Sequence, residues 1–321
     1  MGAPHIMSAP RVSISVVTYN HEAYIAQAIE GVLAQDFTDW ELVIGDDCST
    51  DRTADIVRKY AEAHPERIRL LETERNLGMM QNFRRVYEAC AGDYVALLDG
   101  DDFWTSAAKL RMQVEFLDLH PDCAICFHDA MVVYEDGSGL KPHRSKRPMQ
   151  KPVSTIEDLL LGNFMLSCSV MFRRNLIGPL PEWFLDLQLG DWPLHVLNAQ
   201  FGWIGYIDEV MASYRVHGHG VWSNMGMAYR VRAVARAFEA LGEHLDPKYR
   251  PLITAGLARW NYEMWRLENA GCTKAEARAA ALGYVRVAVR RRPRDVRGII
   301  RVLGLTYAPR LMNRLVRMAP V

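Results

Sequence analysis

Hydrophobic and polar positions along the first hundred residues alternate between two periods. Residues 12–17 form a short, β-branched, mostly apolar run, the pattern of a buried strand. Ile25, Ala28, Ile29, Val32 and Leu33 then recur at helical spacing within 24–33. Residues 42–44 are a second buried run, and Ser49, Thr50 and Asp51 offer N-caps for a helix through Ile56, Val57 and Tyr60. A third strand is predicted over 68–71, a helix over 80–90 with Phe83, Val86 and Tyr87 on one face, and a fourth strand over 94–98. Strands separated by helices of this length imply βαβ units, an α/β fold and a mostly parallel sheet. Ligands of such sheets bind outside the carboxyl ends of the strands. Those ends are Thr18-Tyr19-Asn20, Gly45-Asp46-Asp47 and Asp99-Gly100-Asp101-Asp102, and five of these ten residues are carboxylates.

Farther along, the pattern predicts a helix over 109–119, a strand over 125–133, a strand over 169–172 and a helix over 192–201. Two short strands follow, over 204–207 and 211–216. Residues 137–152, rich in Gly, Pro, Lys and Arg, read as a mobile loop on the acceptor side or as a plain surface loop. Beyond 226 the pattern is helical, which divides the chain into a catalytic domain over 1–225 and a helical accessory region over 226–321.

Composition changes this picture in one place. Half of the 321 residues are hydrophobic, 24% are charged and the formal net charge is zero, so no nucleic-acid partner is indicated. Residues 281–321, however, hold ten arginines against one acid, Asp295, a formal +9 that the preceding 280 residues balance. Helices predicted over 285–292 and 296–305 mix arginine with Val, Ile and Leu. They offer a basic face either to an anionic membrane or to solvent. The six cysteines are irregularly spaced, which fits free thiols, and the Cys123–Cys126 pair lies in an apolar run that reads as core rather than as a metal or redox motif. The start shows no signal-peptide pattern and no apolar stretch reaches membrane-spanning length. A cytoplasmic protein, peripheral at most on the inner face of the membrane, is expected.

The carboxylates carry the chemistry. Asp99, Asp101 and Asp102 repel one another, and burial worsens that repulsion. A Mg²⁺ or Mn²⁺ ion that also holds phosphate oxygens would neutralise them; the plainer reading is a turn built from Asp and Gly. Asp46 or Asp47 can accept a base N–H, and Tyr19 can stack on a base. No Gly-x-Gly-x-x-Gly follows the first strand and there is no P-loop, which disfavours dinucleotide oxidoreductases and P-loop NTPases.

Four segments, in order, resemble the family 2 glycosyltransferases, inverting enzymes of the GT-A fold. They are Val16-Val17-Thr18-Tyr19-Asn20, Asp46-Asp47-Cys48-Ser49-Thr50-Asp51, Asn76-Leu77-Gly78 and Leu97-Leu98-Asp99-Gly100-Asp101-Asp102. The resemblance covers about residues 11–220 and implies a Rossmann-like sheet flanked by helices. It implies transfer of a sugar from a nucleotide-sugar donor, UDP-linked first of all, to a hydroxyl of a glycan or lipid-linked acceptor. It places a Mn²⁺ or Mg²⁺ ion on Asp101, with Asp99 near the ribose or a metal water and Asp102 in support. Thr18, Tyr19, Asn20, Asp46 and Asp47 would line the nucleotide pocket. Gly190-Asp191-Trp192 resembles the segment of the catalytic base, so Asp191 is the candidate base, with an N-cap as its structural alternative. Tyr214-Arg215-Val216-His217 resembles the segment of a late metal or diphosphate ligand, so His217 is the candidate there; His219 is weaker.

Two positions depart from the family pattern. Cys48 stands where the family commonly has Gly, and Gln81-Asn82-Phe83 stands where it often has Ala-Arg-Asn. Trp192, Trp203 and Trp222 are candidates to pack on a sugar face or, more plainly, core residues. Two other functions compete: a non-catalytic sugar-nucleotide binding protein, and a sugar-phosphate nucleotidyltransferase. The second usually needs a Gly-rich basic loop where Tyr19-Asn20-His21-Glu22 stands.

Overall fold

A computed structural model of the chain describes residues 9–145 and 150–257, together with Trp260 and Leu282. The regular elements begin β1 (Val12–Thr18), α1 (Ile25–Leu33), β2 (Trp40–Asp46), α2 (Thr53–Ala63), β3 (Ile68–Leu71), α3 (Met79–Ala89) and β4 (Tyr94–Asp99). They continue β5 (Phe103–Trp104), α4 (Lys109–Leu119), β6 (Cys123–Glu135), β7 (His143–Arg144), β8 (Val153–Ser154), α5 (Ile156–Leu160) and β9 (Val170–Arg173). Among the described residues α6 (Asp191–Asn198), β10 (Trp203–His217), α7 (Val221–Asn224) and α8 (Met227–His244) follow, and 250–257 is again helical.

All ten strands join one sheet in the order β3-β2-β1-β4-β9-β6-β10-β5, with β7 on β6 and β8 on β10. β1 is paired in parallel along its length with β2 and β4, and β2 with β3. The register sets Thr18 opposite Asp46 and Val17 opposite Asp99, so three strands end level with their polar residues side by side. Burial explains why these runs are strands: Val12, Ile14 and Val16 of β1 are at most 1% exposed, and α1 closes over the sheet with Ile25, Ala28, Ile29 and Val32. Each such aliphatic side chain contributes about 1.5–3 kcal/mol. At Gly45 a Cβ would lie 2.4 Å from Val86 and 2.7 Å from Asn82, so only glycine lets α3 seat directly on β2. Asn82 completes the contact by donating Nδ2 to the Gly45 carbonyl at 2.8 Å.

The expected elements are present, with three differences. The two short strands expected over 204–207 and 211–216 are one strand, β10, parallel to β6, with register shifts between Ile207 and Ala212. Asp208 and Glu209 interrupt the apolar run, yet they form a bulge rather than a break, and Asp208 Oδ1 accepts from Arg144 Nη2 at 3.1 Å. The sheet is also more mixed than the βαβ pattern implies, because β9 runs antiparallel between β4 and β6. Finally, α2 starts at Thr53 with Arg52 in the cap position, while Asp51 Oδ1 accepts from the Thr53 amide at 2.9 Å.

The chain divides into two compact units. The first holds residues up to 156, 164–186 and 190–224; the second holds 157–163, 187–189 and the described residues from 225 onward. In the second, Val231, Val234, Ala235, Phe238 and Leu241 of α8 are buried at helical spacing. No helix among the described residues is long and apolar enough to cross a membrane. The basic helices expected over 285–292 and 296–305, and Cys272, lie outside the described residues, as do 146–149 of the loop expected over 137–152. Within that loop His143–Arg144 pairs with β6.

Candidate active site

The loops after β1 and β2 are stitched together. Asn20 adopts φ 57, a left-handed conformation that Asn tolerates, and its Oδ1 accepts from the Thr50 amide at 2.8 Å while its own amide donates to Ser49 Oγ at 2.9 Å. Asp46 is buried, with Oδ2 accepting from the Ser49 amide at 2.9 Å and Oδ1 from Ser49 Oγ at 2.5 Å. Asp47, also buried, accepts from the amides of Leu77 at 2.7 Å and Gly78 at 2.9 Å, and its carbonyl accepts from Asn76 Nδ2 at 3.0 Å. The Asn76-Leu77-Gly78 segment is thereby clamped to the end of β2. Cys48 keeps the left-handed turn that glycine would make, at φ 58. Tyr19 projects from the end of β1 with 43% of its surface exposed.

The carboxylates after β4 have different company. Asp101 Oδ2 lies 3.0 Å from His217 Nε2 and 3.8 Å from His21 Nε2. Burial works most strongly against ionising Asp101, but the His217 hydrogen bond and the charges of His21 and His217 together outweigh it and hold the carboxyl below its usual range. Asp99 is pushed up to about 7 by burial, then by the charges of Asp101 and Asp191, against a hydrogen bond from Ser167. Asp102 turns inward, its Oδ1 accepting from the Arg215 amide at 2.8 Å, and burial followed by its two acidic neighbours raises it well above the usual range. This bond, with β5 pairing on β10 at Ala212 and Ser213, brings the end of β10 back to the acidic loop. Gly100 is required here: a Cβ would lie 2.6 Å from Thr18 Oγ1 and 2.8 Å from His21 Nδ1.

Asp191 is the first residue of α6, with Gly190 in the cap position, so the N-cap alternative does not apply to it. Its charge acts on Asp99 and on Tyr214. Tyr214 is raised by burial and then by the charges of Asp102, Asp101, Asp99 and Asp191, so the phenol lies within the field of all four. Beside it Arg215 is buried, its guanidinium 4.4 Å from the centre of the Tyr24 ring and its Nη2 donating to Gln27 at 2.7 Å. The His217 ring is 4.5 Å from that of Tyr24 and 6.5 Å from that of His219.

The structure thus brings Thr18, Asp99, Asp101, Asp102, Asp191 and His217 into one acidic centre and gives Asn20, Asp46 and Asp47 hydrogen-bonding work in the adjoining loops. His21 and Tyr214 are the residues that motif reasoning did not single out. The signal for His21 was its place in the first strand-to-helix loop, one residue beyond the Thr-Tyr-Asn segment. Two of the three tryptophans are core: Trp192 is buried, and Trp203 packs edge-on against Phe116 at 6.0 Å and His120 at 5.3 Å. Trp222 is 37% exposed. The arginines near the position where the family often has one are engaged elsewhere. Arg84 donates to Glu182 at 3.0 Å, and Arg85 to Asn82 Oδ1 and the Glu72 carbonyl. Cys123 and Cys126 are buried free thiols, raised by burial, as a core reading requires.

Oxygen and imidazole donors of this kind suit a hard or borderline divalent cation, whose charge would offset the burial and the repulsion that raise Asp99. Among the described residues no three His, Cys, Asp or Glu side chains already stand in coordinating geometry. The donors thus suit a cation by their chemistry, and not by a preformed coordination shell.

The sequence profile of Glycosyl transferase family 2 matches residues 13–178. An uncharacterized protein of Mycobacterium tuberculosis is 39% identical over 217 residues, which are 66% of this chain and 60% of that protein. The chain therefore spans somewhat under two thirds of the length of that relative. The Bacillus subtilis protein named as a teichuronic acid biosynthesis glycosyltransferase, TuaG, is 34% identical over 218 residues, 67% of this chain and 82% of its own. Among solved structures, S. aureus TarS in complex with UDP-GlcNAc matches 92% of this chain and 91% of its own, with TM-score 0.62 and 19% identity. The Pyrobaculum calidifontis mannosyltransferase PcManGT in complex with GDP-Man and Mn²⁺ matches 97% of this chain and 84% of its own, with TM-score 0.59 and 20% identity. Both share the GT-A type fold, a central and mostly parallel sheet flanked by helices. The chain belongs to glycosyltransferase family 2.

Proposed function

We propose that this protein is an inverting glycosyltransferase that moves a sugar from a UDP-linked donor to a hydroxyl of a glycan or lipid-linked acceptor. The observation that carries this reading is the acidic loop after β4: Asp101 lies against His217 and His21, Asp102 turns in on the Arg215 amide, and Asp99 is raised by burial and by the charges of Asp101 and Asp191. Four carboxylates in a largely buried site are costly unless a cation and a reacting group use them. The TarS complex with UDP-GlcNAc and the PcManGT complex with Mn²⁺ support the donor class and the metal.

The roles follow from the surroundings of each side chain. Tyr19 offers its exposed ring to the base. Thr18, Asn20, Asp46 and Asp47 form the wall and floor of the nucleotide pocket, where a carboxylate oxygen already bonded to one amide still has a lone pair for a base N–H. Asp99 faces the ribose. Asp101 and His217 hold Mn²⁺ or Mg²⁺, and Asp102 fixes the loop through Arg215. The bound ion supplies electrostatic stabilisation of the departing diphosphate. Asp191 takes the proton of the acceptor hydroxyl as it attacks the anomeric carbon from the face opposite the leaving group. Residues 1–225 form the donor-binding catalytic domain and 226–321 an accessory region. The arginines of the latter suit an anionic membrane at its cytoplasmic face. The naming of TuaG for teichuronic acid biosynthesis supports an envelope polymer as acceptor.

A donor-turnover assay tests the reading. UDP-sugars are offered with Mn²⁺ and envelope glycan acceptors, and the anomeric configuration of the product is read by NMR. Inverted product from wild type, absent with Asp191→Asn, is expected. Retained configuration, or full activity of Asp191→Asn, would refute it.

A further inference from the structure

We propose that His21 is a second imidazole of the Asp101 centre, taking the divalent cation through Nε2 together with His217 and the Asp101 carboxylate. This rests on the metal-assisted reading above and extends it to a residue outside the acidic loop and the end of β10. The backbone of His21 is held from both sides. Its amide donates to Thr53 Oγ1 at 2.8 Å, and its carbonyl accepts from the amides of Tyr24 and Ile25, both at 2.9 Å.

The ring is fixed as well. Nδ1 faces Thr18 Oγ1 at 3.2 Å, and the bare backbone of Gly100 is what lets that pair lie against the acidic loop. An oxygen on Nδ1 is the arrangement that orients a metal-ligating imidazole and leaves Nε2 as the ligand atom.

Nε2 points to Asp101 Oδ2 at 3.8 Å, beyond hydrogen-bonding range, while His217 Nε2 reaches the same oxygen at 3.0 Å. The two rings are 6.3 Å apart and steeply inclined at 77°, so they converge on Asp101 rather than stack on each other. With 12% of its side chain exposed, His21 is not sealed from solvent. Two nitrogen atoms directed at one carboxylate oxygen, one of them without a hydrogen bond to it, are donors that a cation would draw together, since the three side chains do not yet stand in coordinating geometry. An imidazole in place of an oxygen ligand also shifts preference from Mg²⁺ toward a transition ion such as Mn²⁺.

The experiment uses the full chain with Mn²⁺ alone and with Mn²⁺ plus uridine diphosphate. Pulsed EPR reads nitrogen couplings to Mn²⁺, and titration reads affinity for Mn²⁺ and Mg²⁺. Wild type should show two imidazole nitrogens. His21→Asn, which keeps a polar atom near Thr18 but lacks Nε2, should lose one, and His217→Gln should lose the other. In His21→Asn, Mn²⁺ affinity should fall about tenfold or more and Mg²⁺ affinity much less. Two nitrogens and unchanged Mn²⁺ affinity in His21→Asn would overturn the inference and leave the glycosyltransferase reading standing. Wild type that binds no Mn²⁺ even with uridine diphosphate would sink both. Should His21→Asn fail to fold, His21→Gln takes its place. The wild-type spectrum decides in any case, since a single nitrogen contradicts the proposal.

Discussion

Two acidic clusters end strands on either side of β1, and the fold treats them in opposite ways. Asp46 and Asp47 close β2 and are satisfied by near neighbours: the Ser49 amide and hydroxyl, and the amides of Leu77 and Gly78. Asp99, Asp101 and Asp102 close β4 and find one another, with Asp191 added from α6. A carboxylate that accepts two amide hydrogen bonds is an inexpensive scaffold element. Carboxylates that face carboxylates have a charge to be neutralised by something that binds. The same residue type at the same kind of strand end can therefore be architecture or chemistry, and the partners decide which.

The largest effect expected from this contrast is on turnover. Asp101→Ala and Asp191→Asn should each lower transfer by about a thousandfold. Thermal unfolding should move little, because in Asp101→Ala relief of the repulsion among the acidic side chains offsets the lost His217 hydrogen bond. Loss of the fold in Asp101→Ala would make the acidic loop a scaffold like its neighbour. Asp47→Ala should lower stability as well as donor binding. It leaves two backbone amides without their charged acceptor, at a cost of about 2–4 kcal/mol in urea unfolding. Unchanged stability in that variant would erase the distinction between the two clusters.

A third effect is in pH. Asp99 moves from 3.8 to about 7 on folding, so the native state holds its proton more tightly than the unfolded chain does. The stability of the metal-free protein should accordingly fall as pH rises between about 4 and 7, and be complete below that window. Asp99→Asn should flatten this slope in urea titrations at pH 5 and pH 8; an equally steep slope would assign it to other groups. The smallest effect concerns Cys48, whose φ of 58 costs a side-chain-bearing residue about 1 kcal/mol. Cys48→Gly should recover about 0.5–1 kcal/mol less the extra entropy of unfolded glycine, read as a small rise in Tm. A drop would mean that the thiol has a contact worth more than the strain.

Much of the first half of the chain was legible in the sequence because each element there has a local cause. The runs at 12–17 and 42–44 and the helical stripe of α1 carry their periods within a few residues, and four ordered motifs mark the strand ends. What escaped has long-range causes. The bulge that keeps β10 a single strand depends on pairing with β6, eighty residues away in sequence, and on Arg144 reaching Asp208. The antiparallel direction of β9 follows from its neighbours β4 and β6, not from its own four residues. At the site, the candidate carboxylates were readable one by one. Asp46 and Asp47 could not be sorted from the others without their partners, since Ser49 is close in sequence but Leu77 and Gly78 are not. His21 and Tyr214 have no compositional mark; only folding brings one near Asp101 and sets the other in the field of four carboxylates.

The most direct test is a calorimetric titration of the full chain with uridine diphosphate, with and without Mn²⁺, repeated on Asp101→Ala. Binding should require Mn²⁺, raise the unfolding temperature by mass action and disappear in the variant. Binding of equal strength without the ion, or retained in Asp101→Ala, would contradict this.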